Sequence, residues 1–522
     1  MADGKVDKKA VNIKALKLTI KRDRKLRNNP EFTARTAYLD VLDDYVSRIR
    51  EELHSVNELP LNAPTLLAKY KDETRNPDGS KVITCRPLAV FTALHDKIIL
   101  AVTSRYLASK FNWYLHKNIL SYRTARKFYD DERFYVTDFN DGIALIKEFR
   151  NTHEGKIYAA DCDIKKFYDT INHGIVRDCF MRMLDAADLC DEGKRQVMRV
   201  MDAYLKSYNF YENTLQASKQ DGFWNSIAKK CHDTNHQNTY KFGWVDDNEF
   251  AKCYGSKETF YSERKNIGVP QGGSLSLLIA DMVLNDVDQV IVGTHDKPNE
   301  DHNLLLVRFC DDMILMHTDK SECERLMCEY CNSLSKHKLV YHKFTQVADV
   351  KDSHKTKPEF WNVKSHATFC WCKGEGNESE WIGFLGYEMR NDGMLRLRKS
   401  NISKVEEKLW RKYYGTLRAI KNTAMTQVEA IKHIDESYKE LPNVLGFYKE
   451  LEDNPILFMQ LKHLNQKRKR LIRRLSNKQV KSTRQKALFI RKYLADKYDI
   501  TVAKTDKNGN TDISAFRNDN NQ

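Results

Sequence analysis

The sequence contains no apolar run long enough to cross a bilayer, because no stretch approaches the ~20 apolar residues that a membrane-spanning helix needs. Residues 1–10 are polar and charged and no apolar segment follows them, so we expect no secretory leader. No internal repeat or long low-complexity tract is present, which excludes a repeat architecture. We therefore expect a soluble, cytoplasmic protein with reduced thiols and no membrane partner.

Zinc knuckles are excluded by the spacing of the cysteines. The sequence has 12 of them, and they do not form the paired short pattern of a zinc finger or ribbon. The cysteines that come nearest to such a pattern are Cys323, Cys328, Cys331, Cys370 and Cys372. We expect these thiols to be structural.

Acidic residues are absent from one long window, Leu461–Lys492, which holds 13 Lys or Arg residues. The formal charge of the chain is +15, so this window carries most of the excess. Apolar residues recur in it at helical spacing, which predicts a helix with one apolar stripe and one basic face. Such a face suits a phosphate backbone, although a solvated helix of a soluble basic protein has the same pattern. The window includes Lys467, Arg468, Lys469, Arg470, Arg473 and Arg474.

The length of 522 residues predicts two to four domains or subdomains. Residues 1–80 are predicted to be mainly helical. Residues 81–395 alternate short apolar strands with helices, which indicates an α+β fold, and include two polar stretches, 181–264 and 348–380, that we interpret as insertions. Residues 396–522 are predicted to be helical and basic, with a loose Asn- and Asp-rich tail.

Asp311 and Asp312 form one of four Asp-Asp pairs in the sequence. Only this pair stands between two apolar runs, Leu304–Val307 and Met313–Met316, which predicts a buried β-hairpin with two carboxylates at its turn. Two buried like charges are unfavourable unless a cation joins them, and a divalent metal is the usual solution. We interpret the other three pairs as surface turns.

A second acidic strand end lies upstream. The apolar strand that begins at Lys156 ends in alternating acids, so Asp161 and Asp163 face the same side of the strand. One of these carboxylates can meet Asp311 across an adjacent strand. Three carboxylates then suffice to hold two Mg²⁺ ions ~4 Å apart, one on a primer 3′-hydroxyl and one on a triphosphate.

Between the two acidic segments lies Gly268-Val-Pro-Gln-Gly-Gly-Ser-Leu-Ser276. Its two adjacent glycines allow the backbone to approach a ligand closely. The apolar residues that follow predict a helix from Leu275, with Ser274 as its N-cap. A Gly-Gly turn alone is weak evidence for a ligand site, but this one lies in the sequence between the two acidic strands, which supports such a site here.

The order of these motifs resembles that of reverse transcriptases. Asp163–Asp169, Gly268–Gly273 and Phe309–Asp312 resemble motifs A, B and C of the bacterial group, which includes group II intron, retron and defence-associated enzymes. Three further matches are Arg86-Pro-Leu88, Ser121-Tyr-Arg123 and Phe384-Leu-Gly-Tyr387. The resemblance covers roughly residues 80–390. It implies a right-hand polymerase: the fingers start within 1–80, fingers and an antiparallel palm sheet with flanking helices occupy 81–395, and a helical thumb follows.

The resemblance implies a metal site. Asp163, Asp311 and Asp312 would bind two Mg²⁺ ions, for which Mn²⁺ could substitute, together with the backbone carbonyl of Ile164. Asp161 would be structural.

The resemblance also implies a nucleotide site. Tyr168 would exclude a 2′-hydroxyl, so that the substrates would be dNTPs, and Gln271 would lie near the sugar and base. Arg86, with Lys81, would hold the triphosphate, and Lys343 is a loose match to the lysine of motif D.

Several features depart from the pattern of the better-known subgroups. Phe309-Cys310 replaces the usual Tyr-Ala, and Ser276-Leu277 replaces the Ser-Pro of group II enzymes. We find no HNH nuclease and no Val-Thr-Gly signature of retron enzymes. Gln271 is retained in the segment that resembles motif B, whereas the enzymes of diversity-generating elements lack this glutamine. By elimination the chain is most similar to unknown-group, abortive-infection reverse transcriptases. That resemblance implies RNA-directed DNA synthesis on a structured noncoding RNA in bacterial antiphage defence.

Three alternatives stay open. A mobile-element enzyme that also aids intron splicing would be surrounded by a catalytic intron RNA. An idle RNA-binding scaffold would account for the basic window but not for the retained carboxylates. Synthesis without an external template, or from a protein primer, would use the same site, with tyrosines such as Tyr493 and Tyr498 near the C-terminus. Self-association as a homo-oligomer is also left open.

Overall fold

A computed structural model describes residues 47–55, 57–121, 139–187, 189–231, 233, 237–243, 266–350, 363–374, 376–421, 431, 434 and 454–475. The chain divides into two compact units, Met1–Leu385 with Met389–Gly393 and Gly386–Glu388 with Met394–Gln522. Helices and strands alternate in the first unit, so the predicted α+β character is present. No helix in the described ranges has the length and hydrophobicity that a bilayer crossing requires.

The first sheet is built on a hairpin of β1 (Thr65–Arg75) and β2 (Lys81–Val90), which pair antiparallel. The turn between them contains Pro77-Asp-Gly79, and Gly79 has a φ of 85°, which glycine adopts without a steric penalty. β4 (Thr239–Phe242) adds to β2 in parallel. β1 lies within 1–80, which we predicted to be mainly helical. Its Lys and Glu residues are good helix formers, but pairing with β2 decides its structure.

A four-stranded antiparallel sheet forms the centre of the first unit. It contains β3 (Tyr158–Cys162), β5 (Leu304–Phe309), β6 (Asp312–His317) and β7 (His366–Cys370) in the order β5-β6-β3-β7. The predicted hairpin of β5 and β6 is confirmed. β7 falls inside the stretch 348–380 that we interpreted as an insertion. That interpretation is wrong for residues 366–370, because they pair with β3 and their side chains are largely buried.

Helices cover this sheet and connect its strands. They are α1 (Leu94–Phe111), α2 (Phe139–Thr152), α3 (Phe167–Thr170), α4 (His173–Ala186), α5 (Asp191–Ser207), a π-helix (Phe210–Gln216), a 3-10 helix (Ala217–Lys219), α6 (Asn225–Lys230), α7 (Ser276–Val292), α8 (Lys320–Lys336) and α9 (Val347–Val350). α7 is apolar on nearly every side and passes through the main core, where Ile279, Leu284 and Val287 are fully buried.

The start of α7 differs from the prediction. The helix begins at Ser276, its N-cap position is Leu275, and no side chain caps it. Ser274 is therefore not the cap. The hydroxyl of Ser276 donates to the carbonyl of Pro270 at 2.6 Å. That bond closes the preceding loop onto the first turn of the helix.

The first part of the predicted insertion 181–264 belongs to the main core. α5 places Val197, Val200, Met201 and Tyr204 on a buried face, and the side chain of Tyr204 is fully enclosed. These apolar residues recur at helical spacing, a pattern that the polar composition of the stretch concealed.

The end of the chain leads into the second unit. After β8 (Trp381–Phe384), which belongs to the first unit, come β9 (Tyr387–Arg390), β10 (Leu395–Leu397) and α10 (Lys399–Lys421), and residues 455–475 are helical. In that last helix the leucines Leu461, Leu464, Leu471 and Leu475 are buried. The predicted apolar stripe is therefore confirmed as far as residue 475, and the rest of the basic window lies outside the described residues.

Candidate active site

The register of the central sheet brings Asp163 beside the β5–β6 turn. Asp161 pairs with Ile314 and Cys162 pairs with Met313, so the next position along β3 lies next to Asp312. Asp163 occupies that position. The two acidic segments that the sequence singled out therefore meet at one end of the sheet.

The turn itself consists of Cys310 and Asp311, because the β5–β6 pairing ends with Phe309 opposite Asp312. Cys310 has a φ of 53°, as the first position of a tight two-residue hairpin turn requires. Asp311 follows it and is partly buried, whereas Asp312 is the exposed first residue of β6, so only one of the two carboxylates predicted at the turn lies in it.

Asp311 and Asp163 interact as like charges. Burial raises the pKa of the Asp311 carboxyl, the charge of Asp163 raises it further, and Lys364 and Arg86 oppose the shift. Two carboxylates that repel each other at a partly buried sheet end favour a cation between them. Their oxygens are the ligand type that Mg²⁺ and Mn²⁺ prefer, so this pair fits a divalent ion.

Asp163 is held by its backbone and paired through its side chain. Its N–H donates to Ser365 Oγ at 2.9 Å, and its carbonyl accepts from His342 N at 2.9 Å. Lys364 Nζ lies 2.7 Å from its carboxylate, and His342 Nε2 lies 3.9 Å from the other oxygen. Burial lowers the pKa of His342.

The three predicted carboxylates do not form a close cluster of ligand atoms. Among the described residues, two groups of three potential ligands have atoms within 4.8 Å of one another: Cys179-Asp286-His337 and Cys370-Cys372-Glu378. The trio Asp163, Asp311 and Asp312 is not one of them, and the carboxylate of Asp163 is engaged by an ammonium group.

Tyr168 lies on α3, directly after Asp163 and its flanking residues. Its hydroxyl is buried, and its pKa is raised by burial and by the nearby Cys310 and Asp311. The hydroxyl of Tyr168 thus lies close to the Cys310–Asp311 turn.

The Gly268 loop is bonded to α3 along its backbone. Gly268 N donates to Ile171 O and Val269 N donates to Tyr168 O, both at 2.8 Å. Gly268 has a φ of 90°, and a Cβ there would come within 2.5 Å of Phe210 Cβ. Only glycine therefore fits this contact without displacement.

Gln271 joins three elements near the site. Its side-chain amide donates to Asp169 Oδ1 at 2.8 Å, and its carbonyl accepts from Ala89 N at 3.0 Å. These two bonds join the Gly268–Gly273 loop to α3 and to the end of β2.

Four cations gather near the acidic turn. The pKa of Lys71 is lowered by burial and then by the charges of Lys166, Arg86 and Lys364. Arg86 thus lies near the acidic turn, as predicted, since its charge also lowers the pKa of Asp311. Lys81 is elsewhere, because its ammonium pairs with Glu73 at 3.0 Å near the start of β2.

Three of these cations were missed as binding residues: Lys71, Lys166, which lies within the Asp163–Asp169 segment, and Lys364. Lys71 could have been found by recognising β1 as the strand opposite β2, since Lys69 pairs with Arg86. Lys364 lies inside the polar stretch 348–380 that we took for an insertion, and nothing in its sequence context indicates a contact with Asp163.

The remaining predicted residues have defined positions. The backbone of Ile164 pairs with that of Tyr341, and Lys343 is exposed close by. Asp161 accepts from both the N–H and Nδ1 of His366, which fits the structural role expected for it. Of Ser121-Tyr-Arg123, only Ser121 lies within the described residues, and the tyrosines near the C-terminus lie outside them.

The basic helix of the second unit combines cations with an aromatic side chain. Lys467 pairs with Glu406, and the guanidinium of Arg474 lies 5.7 Å from the ring centre of Trp410. A cavity of about 110 Å³ lies between them, also lined by Arg470. The neighbouring Lys469 and Arg473 are exposed, and Arg468 is partly buried.

No family model matches the sequence, and no curated protein matches it. Similar solved structures include a truncated apo telomerase from Candida tropicalis, with 14% identity, a TM-score of 0.36, and coverage of 66% of this chain and 56% of that chain. Telomerase from Candida albicans in complex with a TWJ fragment of telomeric RNA has 12% identity, a TM-score of 0.32 and coverage of 83% and 65%. An insertion-loop deletion mutant of the RNA-dependent RNA polymerase of a human picorbirnavirus has 11% identity and a TM-score of 0.33, with coverage of 77% of this chain and 64% of that chain.

The chain spans less than two thirds of the length of each of these three proteins.

Proposed function

We propose that the chain is a nucleotidyltransferase of the polymerase class, an RNA-directed DNA polymerase. The observation that carries the proposal is the register that sets Asp163, at the end of β3, against the Cys310–Asp311 turn. The like-charge interaction of Asp163 with Asp311 calls for a divalent cation at this point.

Asp163, Asp311 and Asp312, with the carbonyl of Ile164, would hold two Mg²⁺ ions, or Mn²⁺ in their place. When bound, the ions lower the pKa of a primer 3′-hydroxyl and neutralise charge on the leaving pyrophosphate. The protein's own contribution is to fix these carboxylates on a sheet end that is bonded on both sides to neighbouring strands.

The cations beside the turn would bind the triphosphate. Arg86 and Lys71 extend from the β1–β2 hairpin, and Lys364 extends from the start of β7. Tyr168 would block a 2′-hydroxyl with its ring, and Gln271 would orient the sugar and base while bonded to Asp169. The substrates would then be dNTPs and the product DNA.

The basic helix at 455–475 would bind the phosphate backbone of the template and its product, as its exposed Lys469, Arg470 and Arg473 favour. We propose fingers, palm and thumb roles for the hairpin region, the central sheet and the helical second unit. The motif resemblance further supports a structured noncoding RNA as template and a role in bacterial antiphage defence, in the cytoplasm.

The polymerase proposal is tested with purified protein, dNTPs, Mg²⁺ and a primed RNA template. Wild type should extend the primer, and Asp311→Ala/Asp312→Ala should leave it unextended. Asp246→Ala/Asp247→Ala, at another Asp-Asp pair, is the matched control and should extend it normally. Absence of DNA from wild type, or equal DNA from the Asp311 variant, would overturn the proposal.

The biological role has a separate test. RNA and DNA that copurify with the protein are sequenced, and a bacterial host expressing the chain is challenged with phages. One enriched RNA with complementary DNA, and protection that depends on Asp311, are expected. Unselective RNA with unchanged phage plating would refute the defence role and leave the polymerase activity untouched.

A further inference from the structure

We propose that Arg308, Asp281 and Ser121 form a positioning network that fixes the Cys310–Asp311 turn so that Asp311 can bind metal. This inference rests on the proposed function, because it assigns the metal affinity of that same site to residues that do not touch the metal. The network lies wholly within the first unit and beneath the turn.

The charges of the network are fully enclosed. Arg308, Asp281 and Asp288 each have about 1% of their side-chain surface exposed. Arg308 Nε donates to Asp288 Oδ2 at 2.7 Å, and Nη1 lies 3.5 Å from Asp281 Oδ1. Burial raises the pKa of Asp288, and the charge of Arg308 lowers it in part. Burial lowers the pKa of the Arg308 guanidinium, but the charges of Asp288 and Asp281 outweigh it and raise that pKa.

A buried ionic cluster of this kind is weak evidence for stability, since well-packed apolar groups often stabilise a core as well. A role in conformational specificity is the better account where the cluster bonds to a particular backbone segment. Here it bonds to one residue of the catalytic turn.

Both backbone polar groups of Cys310 are held by the network. Arg308 Nη1 donates to the carbonyl of Cys310 at 3.0 Å. The N–H of Cys310 donates to Ser121 Oγ at 3.1 Å, and Ser121 Oγ donates to Asp281 Oδ1 at 2.5 Å. The hydroxyl of Ser121 thus connects the Asp281 carboxylate to the backbone of the turn.

The backbone of Cys310 needs such support. Its φ of 53° is a conformation that residues other than glycine adopt rarely and at a cost in strain. A turn that relaxed toward a commoner conformation would rotate Asp311 away from Asp163. Metal ligands have to be held within roughly 0.5 Å of their working positions, so a small rotation would lower affinity.

The network also connects the turn with motif B. Asp281 and Asp288 lie on α7, which begins directly after the Gly268 loop. A serine, an arginine and two aspartates from three separate segments therefore set the position of a single metal ligand.

The test measures Mn²⁺ binding to the full chain by electron paramagnetic resonance, without nucleotides or nucleic acid. Asp311→Ala identifies the signal of the proposed site. Replacement of Arg308 is avoided, because loss of a buried charge threatens folding. Ser121→Ala removes one hydroxyl, and Ser121→Thr restores it.

The matched control is Ser379→Ala. Ser379 is equally buried, and its hydroxyl also accepts from a backbone N–H and donates to an oxygen, in this case both of Trp381. It lies outside the network.

We expect Ser121→Ala to weaken Asp311-dependent Mn²⁺ binding about tenfold, with an unchanged circular dichroism spectrum, while Ser121→Thr and Ser379→Ala bind as wild type does. Wild-type affinity in folded Ser121→Ala, or an equal loss in Ser379→Ala, would overturn the inference. If wild type binds Mn²⁺ through Asp311 but extends no primer, the proposed polymerase function fails and the positioning role stands. If no wild-type signal depends on Asp311, both fail.

Discussion

The ammonium nitrogen of Lys364 lies 2.7 Å from a carboxylate oxygen of Asp163, a residue 201 positions earlier in the chain. Ser365, the next residue, receives the N–H of Asp163 at 2.9 Å. The segment just before β7 is therefore bonded to the end of β3 through both backbone and side chain, and the ammonium of Lys364 would compete with a metal ion for the Asp163 carboxylate.

Competition between Lys364 and the metal gives a first prediction. In the absence of nucleotide, Lys364→Ala should bind Mn²⁺ about two- to fivefold more tightly, because an exposed ion pair contributes roughly 0.2–1 kcal/mol. Lys373→Ala, at an exposed lysine of the same region, removes an equal charge and should bind as wild type does. Titration followed by electron paramagnetic resonance measures both. Weaker binding by Lys364→Ala would contradict the competition.

The ring of Tyr168 should select the sugar. We expect Tyr168→Ala to raise the kcat/KM for an rNTP relative to the matching dNTP at least tenfold, since the side chain that meets a 2′-hydroxyl is gone. Tyr168→Phe should keep the selectivity of wild type, because the buried hydroxyl is not the blocking group. Single-nucleotide primer extension measures the ratio. Unchanged selectivity in Tyr168→Ala would refute the assignment.

Gly268 should be intolerant of any side chain. Gly268→Ala combines a φ of 90° with a Cβ only 2.5 Å from Phe210 Cβ and 3.2 Å from the carbonyl of Asp169. We expect a loss of about 2–4 kcal/mol in unfolding free energy, measured by urea denaturation. Gly79→Ala is the control, because its φ is 85° but nothing lies within 4 Å of the added atom. It should cost about 1 kcal/mol, and equal losses would contradict the steric argument.

The pair of His337 and Asp286 should make stability depend on pH. His337 Nε2 lies 2.6 Å from Asp286, and Nδ1 lies 2.7 Å from the carbonyl of Ser333. Burial lowers the pKa of His337, but these two bonds outweigh that effect and raise the pKa above the ordinary 6.5. Cys179 and Arg182 complete its polar surroundings. The stabilisation is therefore complete below pH 6.5 and is lost as the pH rises through the raised pKa.

The test compares wild type with His337→Gln by urea unfolding at pH 6 and pH 9. The variant should be less stable by about 1.5–3 kcal/mol at pH 6, the range for a hydrogen bond to a charged group, and the difference should shrink at pH 9. Burial raises the pKa of Asp286, but His337 and Arg182 outweigh it and hold that pKa below its ordinary value. Asp286 is therefore ionised at both pH 6 and pH 9, and its own protonation does not change between the two measurements. A difference that grows with pH would show that His337 is neutral in the folded protein.

The exposed arginines of the basic helix should contribute to nucleic-acid affinity through phosphate contacts. Arg470→Ala/Arg473→Ala should weaken RNA binding equally for unrelated sequences. It should also flatten the plot of log K against log salt by about 0.7–0.9 for each lost contact. Lys297→Ala, at an exposed lysine of the first unit, is the control. A loss confined to one RNA sequence would indicate base recognition instead.

Local patterns in the sequence predicted the parts of the site that local sequence decides. The apolar runs on each side of Asp311–Asp312 are enough to predict β5, β6 and their turn, because a two-residue hairpin forms between neighbours. The leucine spacing likewise predicted the buried stripe of the last described helix.

Long-range pairing decided the rest. β7 has polar neighbours and no apolar alternation that stands out, yet its pairing with β3 brings Lys364 to Asp163 and His366 to Asp161. Lys71 reaches the site because β1 lies opposite β2. The register of such strands depends on contacts far away in the chain, which a single sequence does not reveal.

The central position of β3 has a consequence for synthesis on the ribosome. Its residue Tyr158 pairs with His317 on one side and with Cys370 on the other, so both neighbours of β3 are made long after it. Until then its two edges expose unpaired backbone groups, which invite pairing with other chains. Nascent chains released before Cys370 should aggregate, and the carboxylates of the site come together only once most of the protein has left the ribosome.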